Sequence, residues 1–293
     1  MARALQASVS RKQAYLADYK AMRLSVIIPS LTGEVPRTVP CDSRVEVILV
    51  KGMSPVSAAR NEGLRRATGD WIAWVDCDDE VLPSWCETIL REIDELQDSG
   101  IDVLSFGAEM SRGNGKTVTM RYCDERRDVS SMRYLCDILR DIGGCTWLWN
   151  KVFRRSLFDG LRFEGPTQED FRIMPRVLMR ARCVRMLPEV LYRYTRPKGS
   201  LTHAGGGARN AEGILAAISD GLHDVPCAET IMPFWSEGCA VRAADCIFHS
   251  GRNKELSRFL RRNLAGVVLD PRLGMRVKAK SVLAAFGVTV AGR

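Results

Sequence analysis

Three carboxylates crowd into four positions at Asp76-Cys77-Asp78-Asp79, directly after the apolar run Trp71-Ile72-Ala73-Trp74-Val75. Close carboxylates repel one another unless a cation or hydrogen-bond donors offset their charge. Hard oxygen ligands with few other donors nearby suit Mg²⁺ or Mn²⁺, ions that usually hold substrate phosphates as well. The apolar run is short and rich in aromatic and β-branched residues, as a buried strand requires. Open α/β sheets bind ligands at the carboxyl ends of their strands, so acids at this point suit a site. The same acids could instead be a solvated turn that opens the next helix, since Asp and Glu favour helix N-termini. A second acidic pair, Glu169-Asp170, starts a later helix, and His203 is one of only three histidines.

The elements that must position these groups are legible as alternating strands and helices. Residues 24–28 and 45–50 read as strands, and Ser54-Pro55 as the N-cap and first position of a helix running to about Thr68. The 71–75 strand follows. Pro83 then opens a helix with Trp85, Ile89, Ile93 and Leu96 on one face, and residues 101–108 form a further strand. Such alternation predicts a mainly parallel α/β sheet flanked by helices. In the second half, residues 117–122 read as a strand, and Ser130 or Ser131 caps a helix ending at Gly143-Gly144. Trp147 to Phe153 reads as an aromatic strand with polar Asn150 and Lys151 inside it. Pro175 is tolerable in the helix begun by Glu169 only near the first turn. From Arg209 onward the pattern is all-helical.

At 293 residues and 46% hydrophobic content, the chain can bury a full core as one large domain or two closely packed ones. Its ten cysteines are scattered with no Cys-x-x-Cys pair, which excludes zinc ribbons and redox motifs and predicts reduced packing residues. No stretch approaches the ~20 apolar residues needed to span a bilayer. No secretion signal is visible, and residues 1–22 read as an N-terminal extension ahead of the first strand. These features predict a cytoplasmic protein.

Several segments, taken in order, resemble the family 2 glycosyltransferases. They are Leu24-Ser-Val-Ile-Ile-Pro29, Val56-Ser-Ala-Ala-Arg-Asn-Glu-Gly-Leu64, Ala67-Thr-Gly69 and Trp74-Val-Asp-Cys-Asp-Asp79. Trp149-Asn-Lys-Val-Phe-Arg-Arg-Ser156, Glu169-Asp170, Pro188-Glu-Val-Leu-Tyr-Arg-Tyr194 and Gly199-Ser-Leu-Thr-His203 continue the series. The resemblance covers about residues 23–205. It implies a GT-A fold and inverting transfer of a sugar from a nucleotide-sugar donor to a hydroxyl of a glycan or lipid-linked acceptor. Such work belongs to cell-surface polysaccharide or glycolipid synthesis. By match to the family pattern, Asp78 binds Mn²⁺ or Mg²⁺, Asp76 contacts the donor and Asp170 is the general base. Pro29, Arg60 and Asn61 match donor-binding positions. His203 is either a third metal ligand, a phosphate contact or a structural histidine. Lys151 lies near the acceptor pocket, and Trp147 and Trp149 either stack on a sugar or pack in the core.

The chain departs from the family pattern after its second strand, where Lys51-Gly-Met-Ser54 replaces an acidic loop that reads the nucleotide base. That shortening leaves open a degenerate GT-A domain that binds a nucleotide or a partner without turnover. The implied organisation is an extension (1–22), a GT-A domain (23–205, with donor half 23–108 and acceptor half 109–205) and a helical region (206–293). From Arg252 to Arg293 there are ten basic and two acidic residues, so the tail holds the whole formal excess of +8. Leu256, Phe259, Leu260, Leu264, Val267 and Val268 share one helical face there, flanked by Arg258, Arg261 and Arg262. Such a helix either lies on an anionic membrane, at the inner face of the plasma membrane, or packs on the rest of the chain. No nucleic-acid motif accompanies the charge, so nucleic acid is not an expected partner.

Overall fold

The structure is a computed structural model that describes residues 24–96, 99–112, 116–195 and 207–290. The N-terminal extension and His203 lie outside these residues. The central sheet contains β1 (Leu24–Ser30), β2 (Val45–Lys51), β3 (Trp71–Trp74), β4 (Glu80–Val81), β5 (Ile101–Arg112), β8 (Lys151–Arg154) and β9 (Cys183–Tyr194). Their order is β2-β1-β3-β8-β5-β9-β4. Two further strands, β6 (Lys116–Met120) and β7 (Arg127–Ser130), pair with β5 and β9. Along the main path β2, β1, β3, β5 and β9 run in one direction, and β8 and β4 run against them. The helices are α1 (Val56–Arg66), α2 (Trp85–Glu95), α3 (Ser131–Ile138) and α4 (Glu169–Leu178), followed by α5 (Gly207–Asp220), α6 (Ala228–Ser250), α7 (Lys254–Leu269) and α8 (Met275–Ala285). This is the α/β arrangement, with a helical C-terminal region, that the sequence predicts.

Side-chain alternation along the strands divides the interior in two. Ile27, Ile72 and Trp74 enter one cluster with α3 and α4, while Leu24, Val26, Ile28, Trp71, Ala73 and Val75 enter the other with α2. The first cluster continues through Ala217, Trp235 and Cys239 into α5 and α6. All four α2 residues predicted to share a face are buried. All ten cysteines are free, and four of them are buried. Among the described residues no helix is long and apolar enough to cross a membrane.

Several boundaries differ from expectation, each for a local reason. Pro55, not Ser54, occupies the cap position of α1 with no side-chain cap, and the helix ends at Arg66. Ser130 caps α3 by accepting from the Arg133 amide, but the helix stops at Ile138. The expected 147–153 strand pairs only from Lys151 onward. The buried Lys151 ammonium gathers the carbonyls of Cys145 and Trp147 and the side-chain oxygen of Asn150, at 2.6 to 2.7 Å. That collection of acceptors curls residues 145–150 into a turn. Pro175 lies in the second turn of α4 rather than its first, in a wholly buried stretch where packing outweighs the lost hydrogen bond. The long β9 was not anticipated as a strand. Pro188 and charged side chains hide its alternation, and Pro188 sits where the register against β5 shifts.

Of the two readings of the basic helix, packing against the chain is the one observed for α7. Leu256, Leu260 and Val267 are buried against the helical core, with Phe259 and Leu264 beside them, and only Val268 of that face is exposed.

The seat of α1 on β1 depends on Gly63, where an added Cβ would fall 2.2 Å from the Ile27 side chain. Alanine should gain about 1 kcal/mol of helix propensity. Overpacking against a stiff, fully buried isoleucine costs about 1–3 kcal/mol. Gly63→Ala is therefore expected to lower stability, read as a reduced urea midpoint.

Candidate functional site

The carboxylate cluster sits in a tight turn at the carboxyl end of β3, where the Asp79 amide donates to the Asp76 carbonyl at 3.1 Å. β9 holds this turn from the side. The Tyr192 hydroxyl accepts from the Asp76 amide at 3.1 Å and donates to Asp79 Oδ2 at 2.8 Å, and the Thr195 amide donates to Asp79 Oδ1 at 2.7 Å. The three acids are thereby given different environments. Asp79 is buried, Asp76 is half-buried and Asp78 is exposed. Burial raises the Asp79 carboxyl to about 8, helped by the charge of Asp76 and opposed by its two donors.

Arg60 connects this turn to the start of α4. Arg60 is 7% exposed. It bonds Glu169 and lies 3.7 Å from Asp76. Asp76 is raised by burial, lowered by Arg60, and raised again by the charges of Asp78 and Asp170. The strand-end acids and Glu169-Asp170, far apart in sequence, therefore share one electrostatic environment. The α4 backbone enters through Gln168, whose φ of +59° is left-handed. A non-glycine residue held there stores strain of the kind found at functional sites. Neighbouring helix α5 supports that entry. Gln168 Nε2 donates to Asn210 Oδ1 at 2.8 Å, and Thr167 Oγ1 donates to the Arg209 carbonyl at 2.9 Å. Asp170 itself is half-buried and accepts from the Phe171 amide at 2.6 Å.

The other sequence-derived residues divide by environment. Asn61 is committed to a loop: its Nδ2 donates to the Phe163 carbonyl at 2.9 Å and its Oδ1 accepts from the Phe163 amide at 2.8 Å. Together with the Arg60 pairing, this makes both residues bridges between α1 and later segments. Pro29 is buried near the end of β1, opposite Val50. Lys151 is fully buried. Desolvation lowers it to about 8, against the opposing pull of Cys145, Asp170 and Asp141. Trp147 and Trp149 join Tyr192 and Tyr194 in a stack of four rings with centroids 4.6 to 6.0 Å apart. Trp149 and Tyr192 are buried within it, and Trp147 and Tyr194 are half-buried. Sequence reasoning missed Asp79 and Tyr192 as the supports of the turn. The only available signal was the third acid of the cluster and a tyrosine inside a motif.

Carboxylate oxygens are a suitable donor set for Mg²⁺ or Mn²⁺, and exposed Asp78 is accessible to one. Among the described residues no group of three or more His, Cys, Asp or Glu is placed to hold a metal. Mg²⁺ characteristically needs only one or two carboxylates when substrate phosphates complete its shell. The residues present fit that mode.

The sequence profile described as Glycosyl transferase family 2 matches residues 38–161. Over that span the chain is similar to the family 2 glycosyl transferases. Arg60, Asn61, Asp76 and Asp78 fall inside the matched span, whereas Pro29 and Asp170 fall outside it. The putative glycosyltransferase EpsH of Bacillus subtilis is 29% identical over 160 residues, 52% of this chain and 45% of the relative. The uncharacterized glycosyltransferase EpsJ of the same organism is 25% identical over 194 residues, 64% of this chain and 55% of the relative. The chain thus spans about half the length of these curated relatives. Among solved structures, Staphylococcus aureus TarS 1–349 superposes with a TM-score of 0.54 at 16% identity, covering 90% of this chain and 87% of that one. The same protein in complex with UDP-GlcNAc gives 0.50 at 14% identity. At these identities the likeness shows the fold, which is GT-A.

The protein should show a pH dependence set by Asp79. Its folded pKa of about 8 exceeds the ordinary value of 3.8, so the folded state binds the extra proton between them. The stability this contributes is complete below about 4 and is lost as pH rises through about 8. In metal-free protein the urea midpoint should fall across that window, and Asp79→Asn should flatten the slope.

Proposed function

We propose that this chain transfers a sugar, of the hexosyl or N-acetylhexosaminyl class, from a nucleotide-sugar donor to a hydroxyl of a glycan or lipid-linked acceptor, with inversion. The observation that carries this reading is the Arg60 bridge, which joins the Asp76–Asp79 turn to Glu169-Asp170. A donor diphosphate and an acceptor hydroxyl need an acid-rich strand end and a separate base close together, and this bridge brings such groups together. Asp78 would hold a Mn²⁺ or Mg²⁺ ion that offsets charge on the departing diphosphate. Asp76 contacts the donor. Asp170 takes the proton from the acceptor hydroxyl while that oxygen attacks the anomeric carbon, from the face opposite the phosphate. Residues 23–108 then form the donor half and 109–205 the acceptor half, with the half-buried Trp147 and Tyr194 available to stack on a sugar. The setting would be cytoplasmic synthesis of a surface polysaccharide or glycolipid.

A nucleotide-binding domain without turnover remains the second reading, favoured by one observation. Only Gly52 to Pro55 separate β2 from α1, leaving no room for an acidic base-reading loop.

A panel of nucleotide sugars, assayed for released diphosphate with and without Mn²⁺, tests the proposal. Asp170→Asn should reduce turnover by about 10²–10⁴-fold, the usual worth of a general base, with unchanged thermal unfolding. Asp78→Ala should nearly abolish metal-dependent turnover. Full activity in Asp170→Asn removes the base assignment. Ligand-induced thermal shifts with no turnover for any donor would favour the second reading.

A further inference from the structure

Helix α8 is apolar on two opposite sides, and the protein covers only one of them. Ala284 and Ala285 belong to the helical core, with Val277 packed beside them and Ser281 also buried, and the helix contacts α6 and α7. On the other side Met275 is 77%, Leu283 42% and Phe286, at the C-terminal cap, 75% exposed. With Ala279, these positions fall within about a quarter turn of the helix at its ~100° spacing per residue. A helix that has already buried one face gains nothing within the fold from large apolar groups on its solvent side.

The surrounding charge indicates what covers this face. Arg276 adjoins the stripe on one side and Lys278 on the other, and among the described residues neither pairs with a carboxylate. Arg261 Nη1 reaches the Ala285 carbonyl at 3.4 Å, adding a cation at the far end. Two copies of so basic a face would repel one another, which disfavours self-association. A nucleic acid would use the charge but not the apolar stripe. An apolar stripe flanked by unpaired cations is the pattern of a helix lying in the interface of an anionic bilayer.

We propose that the solvent-facing side of α8 docks on an anionic lipid surface. Leu283 and Phe286 enter the headgroup region, and Arg276 and Lys278 meet lipid phosphates. The buried face of α7, the other amphipathic helix of the basic tail, takes no part. This docking is independent of whether the domain transfers sugar.

Co-sedimentation of the full chain with phosphatidylglycerol–phosphatidylcholine vesicles tests it, with pure phosphatidylcholine as the control. Binding should require the anionic lipid. Leu283→Ser combined with Phe286→Ser removes only exposed side chains, so its melting should match wild type while vesicle affinity falls by about tenfold or more. Arg276→Gln should cost about fivefold. Phe286→Trp should retain binding, and its emission should shift to the blue on anionic vesicles alone. Equal affinity of the double serine variant, or no binding by the wild-type chain, overturns the proposal. So does a dimer in solution that the serine variant dissociates while vesicles bind neither protein, which would assign the face to a second copy.

Discussion

The candidate site depends on one buried cation. Arg60 carries a guanidinium that is almost entirely removed from water, and such a charge is tolerated only when paired. Its partners, Glu169 and Asp76, come from different elements, so the arginine fixes the distance between the β3 turn and the first turn of α4. The constraint works in both directions. Glu169 is nine-tenths buried and Asp76 is partly desolvated, so each carboxylate also requires the cation. Removing Arg60 leaves both carboxylates without their cation. Asp78 and Asp170, adjacent to the paired acids, are left more accessible.

The C-terminal helices extend this constraint. Phe171, next to Asp170, stacks on Trp235 of α6 with ring centroids 4.2 Å apart, and the Arg242 guanidinium lies 3.9 Å from the Phe171 ring centre. Gly238 lets α6 approach the Leu139 carbonyl so closely that a Cβ there would fall 2.2 Å from it. The Arg140–Asp270 ion pair joins the segment after α3 to the C-cap of α7. The Phe171 contacts hold the first turn of α4 against α6. The helical region therefore positions the candidate base as well as extending the chain.

Most of the first half was legible because its signals are local. β1 and β3 are short runs buried on both faces, α2 has a helical hydrophobic period, and the acids follow β3 directly. β8 was misjudged because its start is set by the ammonium of Lys151, whose three acceptors are recognisable only once the chain has curled around it. β9 was hidden by Pro188 and by arginines that pair across to other elements, such as Arg193 with Glu80 and Glu109. The α7 periodicity was read correctly as amphipathic, but periodicity alone does not say whether an apolar face meets protein or lipid.

The sequence by itself determined the α/β class, the acid cluster at a strand end, a free-cysteine interior and the concentration of positive charge in the last forty or so residues. These follow from composition and from patterns with periods of two or 3.6 residues. Tertiary structure decided which charges are paired. Arg60 and Asn61 are surface-like in sequence and become bridges in the fold, Arg60 buried and Asn61 half-buried. Asp79, one acid among three, becomes the one buried beneath a tyrosine. It also decided that α7 is covered and that α8 presents apolar groups to solvent. The physical reason is the same throughout: desolvation and pairing depend on what the rest of the chain brings near, and no local pattern encodes that.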